Sequence, residues 1–277
     1  MSRKVVIIIG IVVLVALAAA ALTVFRMPED ASAPIEAVPL VVETTEPTAV
    51  AAALEPTATA EVQPTVEPTA EPTVVEAPST EEPAAAEPVE EPVGATGPVV
   101  FEIVAAESQA RFVINEVLRG SPKTVIGVTD QVSGQLAVDP TDPAASQVGT
   151  ILINARTLAT DSSMRDRALK NWILQTNDYE FVTFEPAEVI GMPASVAVGE
   201  PFSFELAGNL TVKDLTVPVT FDVTVTPVSE QRLEGLATLT LPHRDLNVTI
   251  PDSPSVDTVA DELTLELEFV AIPASDV

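Results

Sequence analysis

Apolar and polar residues alternate one by one along most of the chain after residue 98. In residues 202–212 the large apolar side chains share one parity, and residues 219–225, 237–241 and 263–269 repeat the pattern. Such alternation is typical of strands that cover a core with one face and meet water with the other. About eight runs of this kind, separated by turns rich in Gly, Pro, Asp and Asn, predict an all-β antiparallel fold.

A sheet of this size has exposed edge strands unless it closes on itself or stacks as two layers. The sequence therefore predicts an eight-stranded antiparallel barrel, with a two-sheet sandwich as the alternative. Only residues 165–175 have a helical pattern, and they include Trp172, the only tryptophan. This excursion is predicted to cover one mouth of the barrel, or else to anchor Trp172 in the core.

The N-terminal residues 5–25 carry no charge, follow Arg3 and Lys4, and precede Arg26. At about 1.5 Å per residue this run spans a hydrocarbon core of about 30 Å, which predicts one transmembrane helix. The early basic residues favour a cytoplasmic N-terminus, a single pass through the cell membrane and an extracytoplasmic C-terminal domain. The alternative is a signal peptide cleaved near residues 18–21, which would leave a secreted domain.

Residues 27–98 differ in composition from the rest of the chain. They contain 13 of the 25 prolines, 14 glutamates and one aspartate, but no lysine or arginine. A segment with so much like charge and so few large apolar side chains buries too little surface to offset the entropy of ordering. The sequence therefore predicts a membrane anchor or signal peptide at 1–26, a disordered linker at 27–98 and one folded domain at 99–277.

Charge and residue content exclude several classes of function. The predicted domain has 26 acidic and 10 basic residues, and this net charge of −16 repels nucleic-acid phosphates. The chain has no cysteine and a single histidine, His243, so thiolate and histidine clusters for a metal are excluded. No nucleophile elbow or comparable catalytic motif occurs. We therefore expect no cofactor, no metal site and no enzymatic activity.

Three groups of residues, in matching order, resemble the motifs of the YceI-like family. They lie in residues 153–184, 208–219 and 237–248. The matching positions are Ile153, Thr157, Thr160, Arg165, Asp166, Leu169, Tyr179, Phe184, Gly208, Leu210, Thr211, Val212, Thr216, Pro218, Val219, Ala237, Leu239, Leu241 and Asp245. The chain departs from the family pattern at Asp214, where the family has glycine, and at His243, where it has arginine.

The resemblance implies an eight-stranded, lipocalin-like barrel that holds an isoprenoid or similar long-chain lipid. The predicted N-terminal helix would tether this barrel to the membrane. The side chains implied to contact the lipid are Phe112, Ile153, Trp172, Phe184, Phe202, Phe204, Leu210, Phe221, Leu239, Leu241 and Phe269. The alternative is that these side chains fill a solid core, which would make the domain a non-catalytic interaction module on a stalk. The sequence leaves the oligomeric state open.

Arg165, Asp166 and Arg167 open the helical excursion. An acidic residue near a helix N-terminus is stabilised by the helix dipole, and an Asp–Arg pair holds a turn in place. The three residues are therefore predicted either to clamp this turn or to bind a lipid headgroup.

Overall fold

The computed structural model describes residues 30–32, 34–40 and 97–274, and these belong to one compact unit. The strands in chain order are β1 (Val99–Ile103), β2 (Gln109–Leu118), β3 (Ser121–Thr129), β4 (Val132–Ser133), β5 (Gln135–Val138), β6 (Gln147–Val148), β7 (Ile151–Asn154), β8 (Phe181–Ile190), β9 (Phe202–Val212), β10 (Leu215–Ser229), β11 (Arg232–Pro242) and β12 (Val256–Pro273). One α-helix, α1 (Ser163–Ala168), continues as a π-helical turn at Leu169–Ile173. The prediction of an all-β antiparallel fold with one short helix is confirmed.

All strands belong to one sheet that curls into a half-barrel, as in the lipocalin-like fold. The order of neighbours is β4-β7-β8-β9-β10-β11-β12-β1-β5-β6, and β2 pairs with both β12 and β3. The ladders from β8 to β12 are long, whereas β4–β7 and β5–β6 contribute two residue pairs each. We call the contact of β4 and β5 with β6 and β7 the short seam, because the sheet is held there by the fewest backbone pairings.

The predicted number of strands, eight, is wrong, because the described residues form twelve. Four interruptions explain the difference. The 3-10 turn Ala105–Glu107 separates β1 from β2, residues 130–131 separate β3 from β4, Gly134 separates β4 from β5, and residues 149–150 separate β6 from β7. Side-chain alternation continues across Gly134, so the sequence pattern does not reveal that break.

The helical excursion begins at Ser162, whose Oγ accepts a hydrogen bond from the Arg165 N–H at 3.5 Å. The chain then widens into a π turn, in which the Leu174 N–H donates to the Leu169 carbonyl at 2.8 Å. This geometry buries Leu169 and Leu174 against the core of the sheet. Trp172, on the other side of the turn, stays half exposed.

Phenylalanine rings on the inner face lie over glycines of neighbouring strands. Phe112 on β2 pairs in register with Gly127 on β3, where an added Cβ would lie 2.1 Å from the ring. Phe184 on β8 lies across Gly208 on β9 and reaches Phe221 on β10, with ring centroids 5.0 Å apart. Because glycine has no side chain, each ring packs over the neighbouring strand and leaves the centre of the half-barrel unfilled.

Within the part of the chain that the structure describes, no helix has the length and apolarity that a membrane crossing requires. The transmembrane helix predicted over residues 5–25 lies outside the described residues, as does most of the predicted linker. Residues 30–32 and 34–40 belong to that predicted linker, and they run along the domain without secondary structure. They nevertheless make defined hydrogen bonds to the domain.

We expect Gly208→Ala to destabilise the domain by about 1–3 kcal/mol, because added atoms at a packed site force their neighbours to move. The new Cβ would lie 2.5 Å from the Glu185 carbonyl oxygen and 2.7 Å from Phe184 Cζ. Urea unfolding measures the change in the free energy of unfolding. Asn209→Ala, on the exposed face of the same strand, is the control and should change it by less than about 0.5 kcal/mol. Equal stability of Gly208→Ala and the unaltered chain would contradict this close packing.

Candidate functional site

A cavity of about 730 Å³ lies inside the curled sheet. Its wall consists mostly of aliphatic and aromatic side chains on the inner faces of the strands, among them Ile114, Leu210, Val223 and Leu265. Successive side chains of a strand point to opposite faces, so the alternation in the sequence directly produces this apolar wall. The volume falls within the range of ligand-binding cavities, which is about 300–1,000 Å³.

The cavity reaches the surface at one end of the sheet, which we call the mouth. The helical excursion flanks the mouth on one side, and residues 250–255, between β11 and β12, flank it on another. Met164 and Trp172 line the cavity and are 78% and 49% exposed, so its apolar lining continues to the solvent there. The β2–β3 turn lies at the same end, since Leu118 and Lys123 also line the cavity.

The residues implied to contact a lipid are all placed by the structure, and most of them meet at the cavity. Eight line it: Phe112, Ile153, Trp172, Phe184, Phe204, Leu210, Phe221 and Phe269. Three pack against the core without lining it: Phe202, Leu239 and Leu241. Phe202 begins β9 at the end far from the mouth and stacks on Phe204, with ring centroids 6.0 Å apart. Contact with a ligand stays a prediction for all eleven.

The ring contacts of the inner face bear on the alternative of a solid core. The Phe184–Phe221 contact joins β8 and β10, and the stacked pair Phe202–Phe204 lies along β9. These contacts follow the wall, and the cavity beside them is incompatible with a filled interior. Trp172 lies at the mouth and half exposed, which favours the cover interpretation over the buried anchor.

Four charged residues form a chain of ion pairs at the mouth, and all four line the cavity. Lys123 Nζ lies 2.6 Å from Asp161 Oδ2, and Asp161 also pairs with Arg165. Arg165 Nη2 lies 3.0 Å from Glu116 Oε1. The Glu116 side chain is 8% exposed, so its charge depends on Arg165 for compensation. These pairs join the β2–β3 hairpin to the start of α1 and hold this side of the mouth.

The carboxyl group of Asp161 has a lowered pKa. Its hydrogen bond from Lys123 is the largest cause, and the contact with Arg165 lowers the pKa further, against a partial opposing effect of desolvation. The ionised form of Asp161 therefore persists to lower pH than in an isolated aspartate. Because the group is exposed and screened by water, this pair organises the mouth more than it stabilises the fold.

Asp166 clamps the turn before α1. Its Oδ1 accepts hydrogen bonds from Thr160, from the backbone N–H at 2.8 Å and from the hydroxyl at 2.7 Å. Arg165 is engaged by Asp161 and Glu116. These contacts support the clamp interpretation for Asp166 and Arg165, because both side chains use their polar atoms within the protein.

Sequence analysis missed Glu116, Met164 and the segment 250–255. Glu116 has the parity of Phe112 and Ile114 on β2, so a charged residue at an inward position was a signal present in the sequence. Met164 and residues 250–255 lie outside the strands, where no periodicity indicates which side chains face the interior.

His243, in the 3-10 turn after β11, is buried and lines the cavity. Its Nδ1 lies 2.7 Å from the Val248 carbonyl oxygen. A carbonyl oxygen only accepts, so Nδ1 carries a proton and donates it. The bond tightens the turn that Asn247 completes with a left-handed φ of 52°. Across residues 97–274 and the described N-terminal residues, no cluster of three His, Asp or Glu side chains could hold a metal ion.

A family model described as a YceI-like domain matches residues 101–271. The chain belongs to the YceI-like family. The match begins within β1 and ends within β12, so it includes all of the sheet except the outer ends of these two strands, together with the cavity and the mouth. YceI-like domains are binding domains. A search of curated proteins found no match to this chain.

Three solved structures illustrate the similarity of this YceI-like chain to others. A polyisoprenoid-binding domain from Saccharophagus degradans, implicated in plant cell wall breakdown, has a TM-score of 0.51 at 14% identity and covers 64% of this chain and 99% of its own. BcnA of Burkholderia cenocepacia has a TM-score of 0.49 at 20% identity, with 61% and 98% covered. The YceI protein of Campylobacter jejuni has a TM-score of 0.44 at 16% identity, with 52% and 82% covered. At such identities the likeness to the first concerns the fold alone.

We expect Arg165→Met to destabilise the YceI-like domain by about 1–3 kcal/mol, because Glu116 would lose the partner of its buried charge. The double variant Glu116→Gln/Arg165→Met should recover most of this loss, since no unpaired charge remains. Urea unfolding of the single and double variants gives the coupling energy. Arg167→Met, at an exposed position of the same helix, is the matched control and should leave stability unchanged. Simple additivity of the Glu116 and Arg165 changes would contradict the ion pair.

Proposed function

We propose that this protein binds an isoprenoid or similar long-chain lipid in the cavity and shields it from water without converting it chemically. One observation carries the proposal: an apolar cavity of about 730 Å³ continues to exposed apolar side chains at Met164 and Trp172. The name of the Saccharophagus degradans relative, a polyisoprenoid-binding domain, supports the chemical class of the ligand.

Burial of the apolar chain is sufficient to drive binding. Each buried methylene contributes about 0.8 kcal/mol, so a five-carbon isoprenoid unit contributes about 4 kcal/mol. Four units contribute about 16 kcal/mol, compared with an association cost of about 4–15 kcal/mol. A chain of a few units therefore needs no specific polar partner inside the cavity. The charged side chains at the mouth need not contribute to the affinity. They need only tolerate a polar headgroup beside them.

The proposal includes a closed, lipocalin-like barrel as the container. Two strand pairings and one chain connection support closure of the half-barrel. β3 pairs with β2, β4 pairs with β7, and the continuous chain from β3 to β5 joins the two ends of the sheet. Closure excludes water from every side of the bound lipid chain.

The proposal also places the domain outside the cell membrane, tethered by residues 5–25. The support is the length of this uncharged run and the basic residues Arg3 and Lys4 before it. A tether keeps the domain close to the bilayer that supplies an insoluble lipid. Cleavage near residues 18–21 would instead release the domain, with the same cavity.

We expect the purified protein to retain a lipid, seen as excess mass in native mass spectrometry and identified after solvent extraction. Ala237→Phe should lower the retained fraction at least threefold, because Ala237 lines the cavity on β11 and a ring there would occupy it. Leu236→Phe is the matched control, because Leu236 lies on the outer face of the same strand, 39% exposed. It should retain as much lipid as the unaltered chain.

Thermal unfolding of both phenylalanine variants checks that the domain is intact. A folded, unaltered chain with no retained lipid, and no uptake of isoprenoid alcohol from detergent, would contradict the proposed function. Equal lipid retention by Ala237→Phe and Leu236→Phe would contradict the assignment of the cavity as the binding site.

A further inference from the structure

The described residues 30–32 and 34–40, which we call the strap, lie along the outside of the domain. Ser32 donates to the Glu180 carboxylate twice, from its backbone N–H at 2.8 Å and from its hydroxyl at 2.7 Å. At the other end, the Leu40 N–H donates to Gln135 Oε1 at 2.9 Å. Both ends of the strap are therefore attached to the domain by hydrogen bonds.

Further contacts distribute the attachment along the strap. Arg156 Nη1 donates to the Asp30 carbonyl oxygen at 3.3 Å, and Ser133 Oγ donates to the Glu36 carbonyl oxygen at 3.4 Å. The Leu40 side chain packs at Gly149, where an added Cβ would lie 2.8 Å from Leu40 Cδ1. Ile35, Ala37 and Leu40 are half-buried, while most of their neighbours are exposed. The strap therefore presents one consistent face to the domain.

The strap covers the short seam of the sheet. Gly134 faces the interior, because an added Cβ there would meet Ile151 and Ile103, and Ser133 and Gln135 on either side of it therefore face outward. The strap contacts these two outward side chains on β4 and β5. It also contacts the start of β8 through Glu180, so it connects both sides of the seam where backbone pairing is shortest.

The ion pair at the first attachment is buried and charged. Arg156 Nη1 lies 3.0 Å from Glu180 Oε2, and both side chains are 12% exposed. Desolvation raises the pKa of Glu180, but the hydrogen bonds from Ser32 and Asn154 and the charge of Arg156 together hold it below its ordinary value. A carboxyl pKa lowered by docking means that docking is strongest when Glu180 is ionised, and weakens as the pH falls through that lowered pKa. The attachment is therefore stronger at neutral pH than in acid.

The strap has a defined direction. Arg156 and Glu180 lie where β7 ends and β8 begins, at the end of the sheet from which the helical excursion leaves to flank the mouth. Gln135 and Gly149 lie farther from the mouth along β5 and before β7. The chain therefore enters the domain at the mouth end, at Asp30, and runs away from the mouth toward Leu40.

We propose that the strap holds the domain with its mouth toward the membrane, so that the surface around Met164 and Trp172 contacts the lipid bilayer. This inference rests on the proposed tether at residues 5–25. Only four residues lie between Phe25 and Asp30, and the five steps from one to the other reach at most about 17 Å. An undocked linker of 72 residues would reach about 220 Å and would leave the domain free to turn.

Exposed apolar side chains support a bilayer as the partner of this end. Met164 and Trp172 are exposed beside the mouth, and a half-exposed tryptophan is suited to the membrane interface. Eight of the ten basic residues in 99–277 also lie at this end, but acidic residues lie among them, and Lys123, Arg156, Arg165 and Arg244 form ion pairs with carboxylates. The contact with the bilayer is therefore apolar in character.

The single tryptophan makes the orientation measurable. The full chain is reconstituted into liposomes of phosphatidylcholine and phosphatidylglycerol with brominated acyl chains, and Trp172 fluorescence is compared with that in unbrominated liposomes. We expect the brominated lipid to quench at least half of the emission. Ser32→Pro/Leu40→Pro removes both backbone donors of the strap without changing the domain, because proline has no N–H. It should at least halve the quenching.

Ala31→Pro/Val38→Pro is the matched control, with two prolines at strap positions whose N–H groups make no described hydrogen bond to the domain. It should keep the quenching of the unaltered chain. The unaltered chain and both proline variants have the same cavity, so brominated lipid taken up into the cavity would quench Trp172 equally in all three. A difference in quenching among them therefore reports orientation.

Two results would overturn the orientation: no quenching in a liposome-bound chain, or equal quenching after Ser32→Pro/Leu40→Pro. Failure of the unaltered chain to float with liposomes would overturn the tether and the orientation together. Strap-dependent quenching in a protein that retains no lipid in native mass spectrometry would support the orientation and contradict the lipid-binding function.

Discussion

The interior is open because glycines, which have no side chain, lie on the strands next to phenylalanines of the inner face. Protein interiors are normally close-packed, and unfilled volume destabilises them by about 24 cal/mol per Å³. The glycines beneath Phe112 and Phe184 keep these rings against the wall, so the side chains of the domain leave the interior unfilled. An apolar wall offers water few hydrogen bonds, which favours an apolar occupant over solvent.

The composition of the wall was predictable because strand geometry converts position in the sequence into direction. Every second residue faces inward, so Leu210 and Phe221 could be placed on the inner face without coordinates. The position of the cavity along the strands could not be predicted. Alternation shows which side chains face inward, but it does not show how far along the strands the cavity extends. Leu239 and Leu241 have the inward parity and pack against the core, yet the cavity does not reach them. The strand breaks were hidden for a similar reason, since alternation continues through Gly134.

The mouth was less predictable than the wall because it is built from tertiary contacts. Glu116 has a parity that directs a charge inward, and the sequence alone gives no indication that Arg165, 49 residues later, compensates it. The strap shows the same limit. Its composition predicts disorder, but its attachment uses the backbone N–H groups of Ser32 and Leu40 and the carbonyl of Glu36, which composition does not describe. Proline and glutamate content is informative about apolar burial and uninformative about backbone hydrogen bonds to a preformed surface.

Because the strap is attached to the domain, the acidic segment that follows it does not act as a spacer before the domain. In a simple stalk, the number of residues between the membrane and the domain sets the distance between them. In the proposed tethered arrangement, with Asp30 attached at the mouth end, that distance would depend on residues 26–29, and residues 41–96 would only connect Leu40 to Gly97. The entropy of closing such a connection grows slowly, by about 0.6 kcal/mol for each doubling of its length. The length of the acidic segment is therefore nearly free to vary, whereas the short entry to the strap and the Arg156–Glu180 pair are constrained by the position of the mouth.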